Sequence, residues 1–217
     1  MPSNYWNWRK IENIEYWKSP AKEVYAYLYL WSKKPNNKSL LDLGAGIGRH
    51  SLLFAKHGFD VTALDSSLSG IEDISNDLKK SNIKVNVIQS DMRAIPFSDN
   101  RFDFLIAYNS VYHSDDTGIR AVIKEIHRVL KPYGEAFITL LSKEDESFLD
   151  NIENLVSENT LLKKEQDDSV LPHFFVDKDM IPKLFDDFKI NSIYQSKEFH
   201  GDKSFTHFNV HLIKKEW

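Results

Sequence analysis

The sequence predicts an α/β fold, a doubly wound sheet of about seven mostly parallel strands with helices on both faces. The central part of the chain alternates short apolar runs with segments of helical periodicity, which is the rhythm of right-handed βαβ units. The apolar runs are nearly continuous, as is typical of parallel strands that are buried on both faces. Two alternating runs near the end, "KINSIYQSKEF" and "SFTHFNVHLIKK", add an antiparallel C-terminal hairpin.

Five strands are predicted in the central part from the apolar runs "SLLDL", "DVTALD", "KVNVIQSD", "RFDFLIAYN" and "EAFITLL". Helices are predicted around them where apolar residues recur three and four positions apart, in "GRHSLLFAKHG", "SSLSGIEDISNDLKKS" and "TGIRAVIKEIHRVLKPYG". The last of these helices stops at Lys131-Pro132, because proline lacks the backbone N–H that a helix needs. A further helix is predicted at "DKDMIPKLFDDF". The predicted arrangement is Rossmann-like.

We expect one domain overall, because 217 residues are ample for a single apolar core. Residues 1–35 contain four of the five tryptophans and are predicted to form an aromatic helical cap outside the sheet. Residues 36–217 form the main domain. Within it, residues 143–177 are charged and show no clear period, which indicates an insertion.

The composition limits the kinds of partner and site that we expect. The formal net charge is −4, so a polyanion gains little attraction and we expect no nucleic-acid partner. The absence of cysteine removes disulfides, thiolate metal ligands and a cysteine nucleophile. No apolar run approaches the roughly 18 residues of a membrane span, and the start of the chain does not resemble a signal peptide. These features predict a soluble, cytoplasmic protein. His207 and His211 share a strand face but lie about 13 Å apart at the usual rise per residue, so no metal site is predicted.

The stretch "LLDLGAGIGRH" places three glycines at alternate positions, Gly44, Gly46 and Gly48, behind a strand that contains Asp42. Glycine permits a tight turn and lets a ligand lie against the bare backbone. The following helix N-terminus attracts negative charge, as in dinucleotide sites. In this chain, however, the third glycine falls one residue early, and Asp42 would repel a pyrophosphate but favour an ammonium group.

"DLGAGIG" resembles motif I of the class I S-adenosylmethionine-dependent methyltransferases, and four later segments are similar to that family as well. They are "VTALD", "VIQSDMRAIPF", "FDFLIAYNSVYH" and "EIHRVLKPYGEAFIT", so the resemblance spans about residues 38–141. In the last segment Tyr133 replaces a glycine of the family pattern. The resemblance implies S-adenosyl-L-methionine as the cofactor and S-adenosyl-L-homocysteine as the product.

The resemblance also implies a role for individual residues. Asp65 is expected to accept hydrogen bonds from both ribose hydroxyls, because a carboxylate offers two acceptor oxygens. Asp91 is expected to accept from the adenine amino group, with Met92 and Arg93 flanking the ring. Asn109 is expected beside the methionyl part. The remaining cofactor-binding candidates are in the glycine turn, beside Asp65 and in the cap: Asp42, Gly44, Ala45, Gly46, Gly48, Ser66 and Tyr16.

Methyl transfer requires the nucleophile to be held in line with the methyl group, which can supply roughly 7–11 kcal/mol. A general base adds about 10²–10⁴-fold and helps only when the nucleophile must lose a proton. His113, in the loop after the fourth strand, is the candidate base, because imidazole titrates near neutral pH. Its alternative role is that of a hydrogen-bonded structural histidine. Tyr16 and Trp17 form either a lid over the methionyl end or a packing helix, and residues 143–177 are expected to line the acceptor.

The function predicted is methyl transfer from S-adenosylmethionine to a small-molecule acceptor. The alternatives are a nucleic-acid or protein methyltransferase, a non-catalytic domain that binds the cofactor, and a nicotinamide oxidoreductase. The motif typical of exocyclic-nitrogen methylation has prolines after the fourth strand, whereas this chain has "NSVY". The sequence leaves open the acceptor, the atom that is methylated and the oligomeric state.

Overall fold

The computed structural model describes residues 6–12, 14–34, 38–165, 170–200 and 203–216. The five central strands are present where the apolar runs predict them. They are β1 (Ser39–Leu43), β2 (Asp60–Asp65), β3 (Asn86–Gln89), β4 (Phe102–Ala107) and β5 (Leu130–Ser142). The C-terminal hairpin consists of β9 (Phe188–His200) and β10 (Lys203–Lys214).

These seven strands form one sheet in the order β3-β2-β1-β4-β5-β10-β9. The pairs among β1 to β5 are parallel, whereas β10 is antiparallel to both β5 and β9. The predicted fold class and the C-terminal hairpin are therefore confirmed. The order reverses at β1, which lies between β2 and β4, and ligands of open α/β sheets bind beyond the carboxyl ends of the strands at such a point.

Three further strands extend the sheet where the sequence showed no period: β6 (Leu155–Ser157), β7 (Thr160–Lys164) and β8 (Val170–Val176). They pair antiparallel in sequence order. Strand β5 runs beyond the carboxyl end of β4, and its residues Leu141 and Ser142 pair with β8. The three-stranded extension thus stands beside the loop that follows β4, where Phe174 N donates to Tyr112 O at 2.8 Å.

The predicted helices between the strands are α3 (Arg49–Lys56), α4 (Leu68–Lys79) and α5 (Asp116–Val129). Helix α4 begins at Ser67 and α5 at Asp115, each of which caps its helix by accepting a backbone N–H with its side chain. The shorter α6 (Glu146–Leu149) follows β5. Only α7 (Ile181–Leu184), preceded by a 3-10 turn, forms in the segment where one longer helix was predicted.

The N-terminal residues form a 3-10 turn (Trp8–Lys10) and the helices α1 (Ile14–Lys18) and α2 (Lys22–Ser32). Residues 1–5, 13 and 35–37 lie outside the described residues, so the predicted cap is seen only in part. Helix α2 is fixed to the sheet by Glu135, which is 5% exposed. This carboxylate accepts from Trp31 Nε1 at 2.9 Å and also bonds with Lys34 and with His211 Nε2. No helix within the described ranges combines the length and the apolar character that a bilayer crossing needs.

Candidate active site

The carboxyl ends of β1, β2 and β3 form one rim that is tied together by backbone hydrogen bonds. Gly44 N donates to Leu64 O at 2.8 Å, which joins the turn after β1 to β2. Ser90 N donates to Asp65 O at 3.0 Å, which joins the segment after β3 to β2. The glycine turn, Asp65 and the segment containing Asp91 therefore follow one another along the rim.

Asp65 organises the middle of this rim. Its Oδ2 accepts from Gly46 N and its Oδ1 from Ser67 N, each at 2.7 Å. Burial raises the pKa of this carboxyl, and the backbone N–H groups oppose that effect. The backbone of Ser66 also hydrogen-bonds to this carboxylate, which has about four acceptor sites and so keeps one or more of its sites beside these partners. Asp65 also lines a cavity, so those sites are available to a ligand.

Asp42 does not reach that cavity, contrary to the direct contact expected from the sequence. It is 2% exposed and accepts from Ser51 Oγ of α3 at 2.6 Å. Burial raises its pKa to about 6. The physical reason is its position within β1 rather than after it, because the side chain points into the layer of α3. We therefore propose that Asp42 acts on the turn indirectly, through α3.

The three alternating glycines are needed for protein packing rather than for an approaching ligand. A Cβ at Gly44 would overlap Ser110, one at Gly46 would overlap the Trp8 ring, and one at Gly48 would overlap Ile74. All three have φ between 58° and 82°, which favours glycine. Gly44 is the one of them that also lines the cavity. Ala45 is buried and packs with Ile74.

Asp91, Met92 and Arg93 form a turn after β3. Asp91 Oδ1 accepts from Arg93 N at 2.8 Å, and the carboxylate holds the guanidinium through Nε at 3.0 Å and Nη2 at 2.5 Å. These bonds lower the pKa of Asp91. All three side chains line the cavity, as does Ser66.

Asn109 follows β4 in a left-handed backbone conformation, with φ of 52°. Its N donates to Thr139 Oγ1 at 2.7 Å, and the same hydroxyl donates to Asn109 Oδ1 at 3.0 Å. Thr139 is 1% exposed, so a buried hydroxyl of β5 holds the loop in this conformation. Asn109 also lines the cavity.

The cavity has a volume of about 1170 Å³. It runs from the rim residues Gly44, Asp65 and Asp91 past His113 to the three-stranded extension, where His173 lines it. A pocket for one small ligand has roughly 300–1,000 Å³. This cavity is large enough for a second molecule beside the first.

His113 lies between the two ends of the cavity among other rings. Its centroid is 4.7 Å from that of Tyr112, 4.6 Å from that of His173 and 5.6 Å from that of Trp6. Burial, followed by the charges of His173 and Lys163, holds the pKa of His113 well below its ordinary value of 6.5. The imidazole is therefore neutral near pH 7. Its Nδ1 is buried and has no hydrogen-bond partner among the described residues.

Four other polar side chains also line the cavity, and they form two pairs. Tyr112 Oη lies 3.3 Å from His207 Nε2 of β10, and His173 Nε2 lies 3.1 Å from Glu165 Oε1. Tyr112 and His207 are far apart in sequence and are brought together by the topology of the sheet, whereas Glu165 directly follows β7, the strand that pairs with β8. No group of three or more histidine, aspartate or glutamate side chains in the described part of the chain is arranged to hold a metal ion.

The N-terminal segment covers the rim. Trp8 N donates to Ser69 Oγ at 3.0 Å, and Arg9 pairs with Glu72 on α4. The Trp8 ring contacts that of Trp17, with the centroids 5.7 Å apart, and Trp17 contacts the ring of Tyr16 at 5.4 Å. Tyr16 lines the cavity but is 47% exposed, so it stands at the mouth.

Comparisons with known proteins agree with this geometry. A family model described as a methyltransferase domain matches residues 40–134. The chain is 30% identical over 109 residues to a ubiquinone biosynthesis O-methyltransferase of Rickettsia akari, covering 50% of this chain and 42% of the relative. It is 32% identical over 138 residues to a ubiquinone/menaquinone biosynthesis C-methyltransferase of Rickettsia bellii, covering 59% and 55%. The chain thus spans about half the length of these curated relatives.

Solved structures share the fold. An S-adenosylmethionine-dependent methyltransferase of Methanosarcina mazei superimposes with a TM-score of 0.76 at 18% identity, covering 92% of this chain and all of that one. The 1,6-didemethyltoxoflavin-N1-methyltransferase of Burkholderia thailandensis, solved with bound 1,6-didemethyltoxoflavin and S-adenosylhomocysteine, gives a TM-score of 0.68 at 16% identity, covering 94% of this chain and 83% of that one. Residues 40–134 thus match a methyltransferase domain, and the chain shares the fold of solved S-adenosylmethionine-dependent methyltransferases.

Proposed function

We propose that this protein transfers a methyl group from S-adenosylmethionine to a small molecule. The observation that carries the proposal is the continuity of one cavity, which joins the acidic rim at Asp65 and Asp91 to the neutral imidazole of His113. A cofactor at the rim and an acceptor beside His113 would share this cavity, and their reacting atoms would meet between the two ends.

The rim suits a nucleoside. Asp65 lines the cavity at the end of β2 and would hold the two ribose hydroxyls. Asp91 would accept from the adenine amino group, with Met92 and Arg93 flanking the ring, while Asn109 and Gly44 would lie beside the amino-acid part. S-adenosylmethionine supplies an activated methyl group when it is bound. The carboxylates would also favour its net positive charge.

The chain's contribution to the chemistry is to position the acceptor and exclude water. Rings of Trp6, Tyr112 and His173 surround His113 and keep its surroundings poorly hydrated. Neutral His113 would accept the proton that the nucleophile loses, and its buried position keeps the imidazole in the basic form.

A small acceptor is favoured by the rings that surround His113 and by the relatives, whose names refer to small molecules. Residues of the extension, among them Lys163 and Leu171, close the acceptor end. Among the described residues that line the cavity, acidic side chains outnumber basic ones, which disfavours a nucleic-acid backbone.

The test is an incubation of the purified protein with deuterium-labelled S-adenosylmethionine and a bacterial metabolite extract. We expect a small molecule that gains the labelled methyl group, together with stoichiometric S-adenosylhomocysteine. The His113→Gln variant should bind the cofactor but form the product much more slowly. Cofactor binding with no labelled product from any extract would favour a non-catalytic binding domain.

A further inference from the structure

Two buried ring nitrogens of the cavity have no hydrogen-bond partner among the described residues, Trp6 Nε1 and His113 Nδ1. Their rings are neighbours, with centroids 5.6 Å apart and planes inclined at 50°. A buried indole N–H usually has a partner, and leaving one without a partner costs free energy because the group has lost its hydrogen bond to water. The pair therefore indicates a ligand that satisfies both nitrogens.

The two nitrogens require different hydrogen-bonding groups on the ligand. Trp6 Nε1 is a donor only, so it requires a lone pair on the ligand. Neutral His113 uses Nδ1 as an acceptor when its proton is on the other ring nitrogen, and then it requires a donated proton. One ligand atom can bridge two nitrogens that lie up to about 6 Å apart, at about 3 Å from each.

We propose, building on the methyltransferase function, that Trp6 and His113 select a hydroxyl as the group that is methylated. A hydroxyl has one O–H donor and two lone pairs. The O–H donates to His113 Nδ1, one lone pair accepts from Trp6 Nε1–H, and the second lone pair remains free to attack. A single oxygen thus satisfies both partners and keeps its nucleophilic electrons.

All bonds, protons and charges of the methyl transfer are accounted for with these two residues alone. The free lone pair of the oxygen forms the bond to the methyl carbon, and the carbon–sulfur bond breaks with its electron pair going to sulfur. The hydroxyl proton passes to His113 Nδ1. The positive charge of the sulfonium therefore appears on the imidazole, and the products are a methyl ether and a thioether. Trp6 stabilises the oxygen while it loses its proton.

Other nucleophiles satisfy the hydrogen-bonding requirements of Trp6 Nε1 and His113 Nδ1 less well. An ammonium has donors only and leaves Trp6 without an acceptor. A neutral amine has one lone pair, which either accepts from Trp6 or attacks the methyl group. A carbon nucleophile offers no lone pair to Trp6, and a thiol sulfur is a weak acceptor. The surrounding rings of Tyr112 and His173 also favour a flat molecule, so we infer an aromatic hydroxyl.

Phenol and aniline are suitable probes because they differ only in the hydroxyl or amino group. Each is titrated into the full-length protein that has first been saturated with S-adenosylhomocysteine, a step that tests cofactor binding separately. We expect phenol to bind at least fivefold more tightly than aniline. In Trp6→Phe, which keeps a ring but removes the N–H, this preference should fall to less than twofold. His57→Gln, remote from the cavity, should retain it.

Failure of the proposed function and failure of the hydroxyl assignment give different results in this experiment. Failure of S-adenosylhomocysteine to bind would contradict the proposed function itself. If it binds, equal affinities for the two probes, a preference for aniline, or no saturable binding of phenol would overturn the hydroxyl assignment. A preference for phenol that persists in Trp6→Phe would show that Trp6 is not its source and would overturn the role given to this residue.

Discussion

The indole ring of Trp8 occupies the space in which a side chain at Gly46 would stand. The N-terminal segment and the glycine turn are therefore fitted to one another, although 38 positions separate them in the sequence. Asp65 supports the same turn from below, through its hydrogen bond to Gly46 N at 2.7 Å. A change at Gly46 should consequently affect the turn, the segment that covers it and the cofactor site together.

Gly46→Ala and Gly58→Ala form a matched pair that tests this relationship. Both glycines have positive φ, 58° and 82°, so both variants carry strain of about 1 kcal/mol. Only Gly46 faces an obstacle, because nothing lies within 4 Å of the added Cβ at Gly58. We expect Gly46→Ala to lose clearly more unfolding free energy in urea and to bind S-adenosylmethionine more weakly. Equal losses in the two variants would contradict the packing of Trp8 on the turn.

Tyr133 stands at a left-handed position, with φ of 61°, where the family pattern has glycine. A non-glycine residue there costs about 1–2 kcal/mol. Tyr133→Gly should therefore raise the free energy of unfolding by about 1 kcal/mol, less the loss of its surface hydrogen bond to Glu216. The same change at the exposed Tyr29 of α2 should lower it by about 0.5 kcal/mol, because glycine disfavours a helix. Urea titrations in which both substitutions change the free energy of unfolding in the same direction would contradict the backbone strain at Tyr133.

His113→Gln should reduce kcat by about 10²–10⁴-fold once the acceptor is known, since it removes the proposed base. Its affinity for the cofactor should not change. Because burial lowers the pKa of His113, the acid limb of the wild-type rate profile should lie well below pH 6.5. His173, His207 and Lys163 face this ring and contribute to that shift. A rate that is unaffected by the substitution, or an acid limb above pH 6.5, would refute the role.

The stability of the protein should fall as the pH drops below 6.5. His50, His113 and His207 are buried with lowered pKa values, about 4 for His207, so the unfolded chain binds more protons in this window. Asp42 opposes the trend, because its pKa is raised to about 6 and its contribution is lost as the pH rises. The three histidines outweigh it, and we expect a loss on the order of 1–2 kcal/mol between pH 6.5 and 5.5. The urea midpoint of unfolding, measured at these two pH values, gives the size of this loss. A midpoint that stays constant or rises as the pH is lowered would contradict the lowered pKa values of the histidines.

The sequence predicted those parts of the fold in which local pattern and tertiary position agree. The strands from Ser39 to Ser142 are buried and apolar, so their runs could be recognised. The three-stranded extension could not, because β6 has only three residues, β7 ends in two lysines, and β8 contains Pro172, which argues against a strand. Helix α7 was overestimated, since "DKDMIPKLFDDF" has helical spacing but the chain turns into β9 after only four helical residues.

The candidate site likewise contains some residues that the sequence could predict and others that it could not. The rim residues Asp65 and Asp91 follow strands and were identified from their motifs. Trp6 and His207 come from opposite ends of the chain and meet at the cavity only through the topology of the sheet. For Asp42, the distance from the glycines was visible in the sequence, whereas the direction of the side chain, towards Ser51, was not.

Calorimetric titration of S-adenosylmethionine tests the central claim most directly, with Asp65→Ala and Asp60→Ala as a matched pair. The two aspartates stand at opposite ends of β2, and only Asp65 lines the cavity. We predict saturable binding to the wild type, unchanged affinity in Asp60→Ala and at least a tenfold loss in Asp65→Ala, with both variants folded by circular dichroism. No binding to the wild type, or equal affinity in all three proteins, would contradict the account.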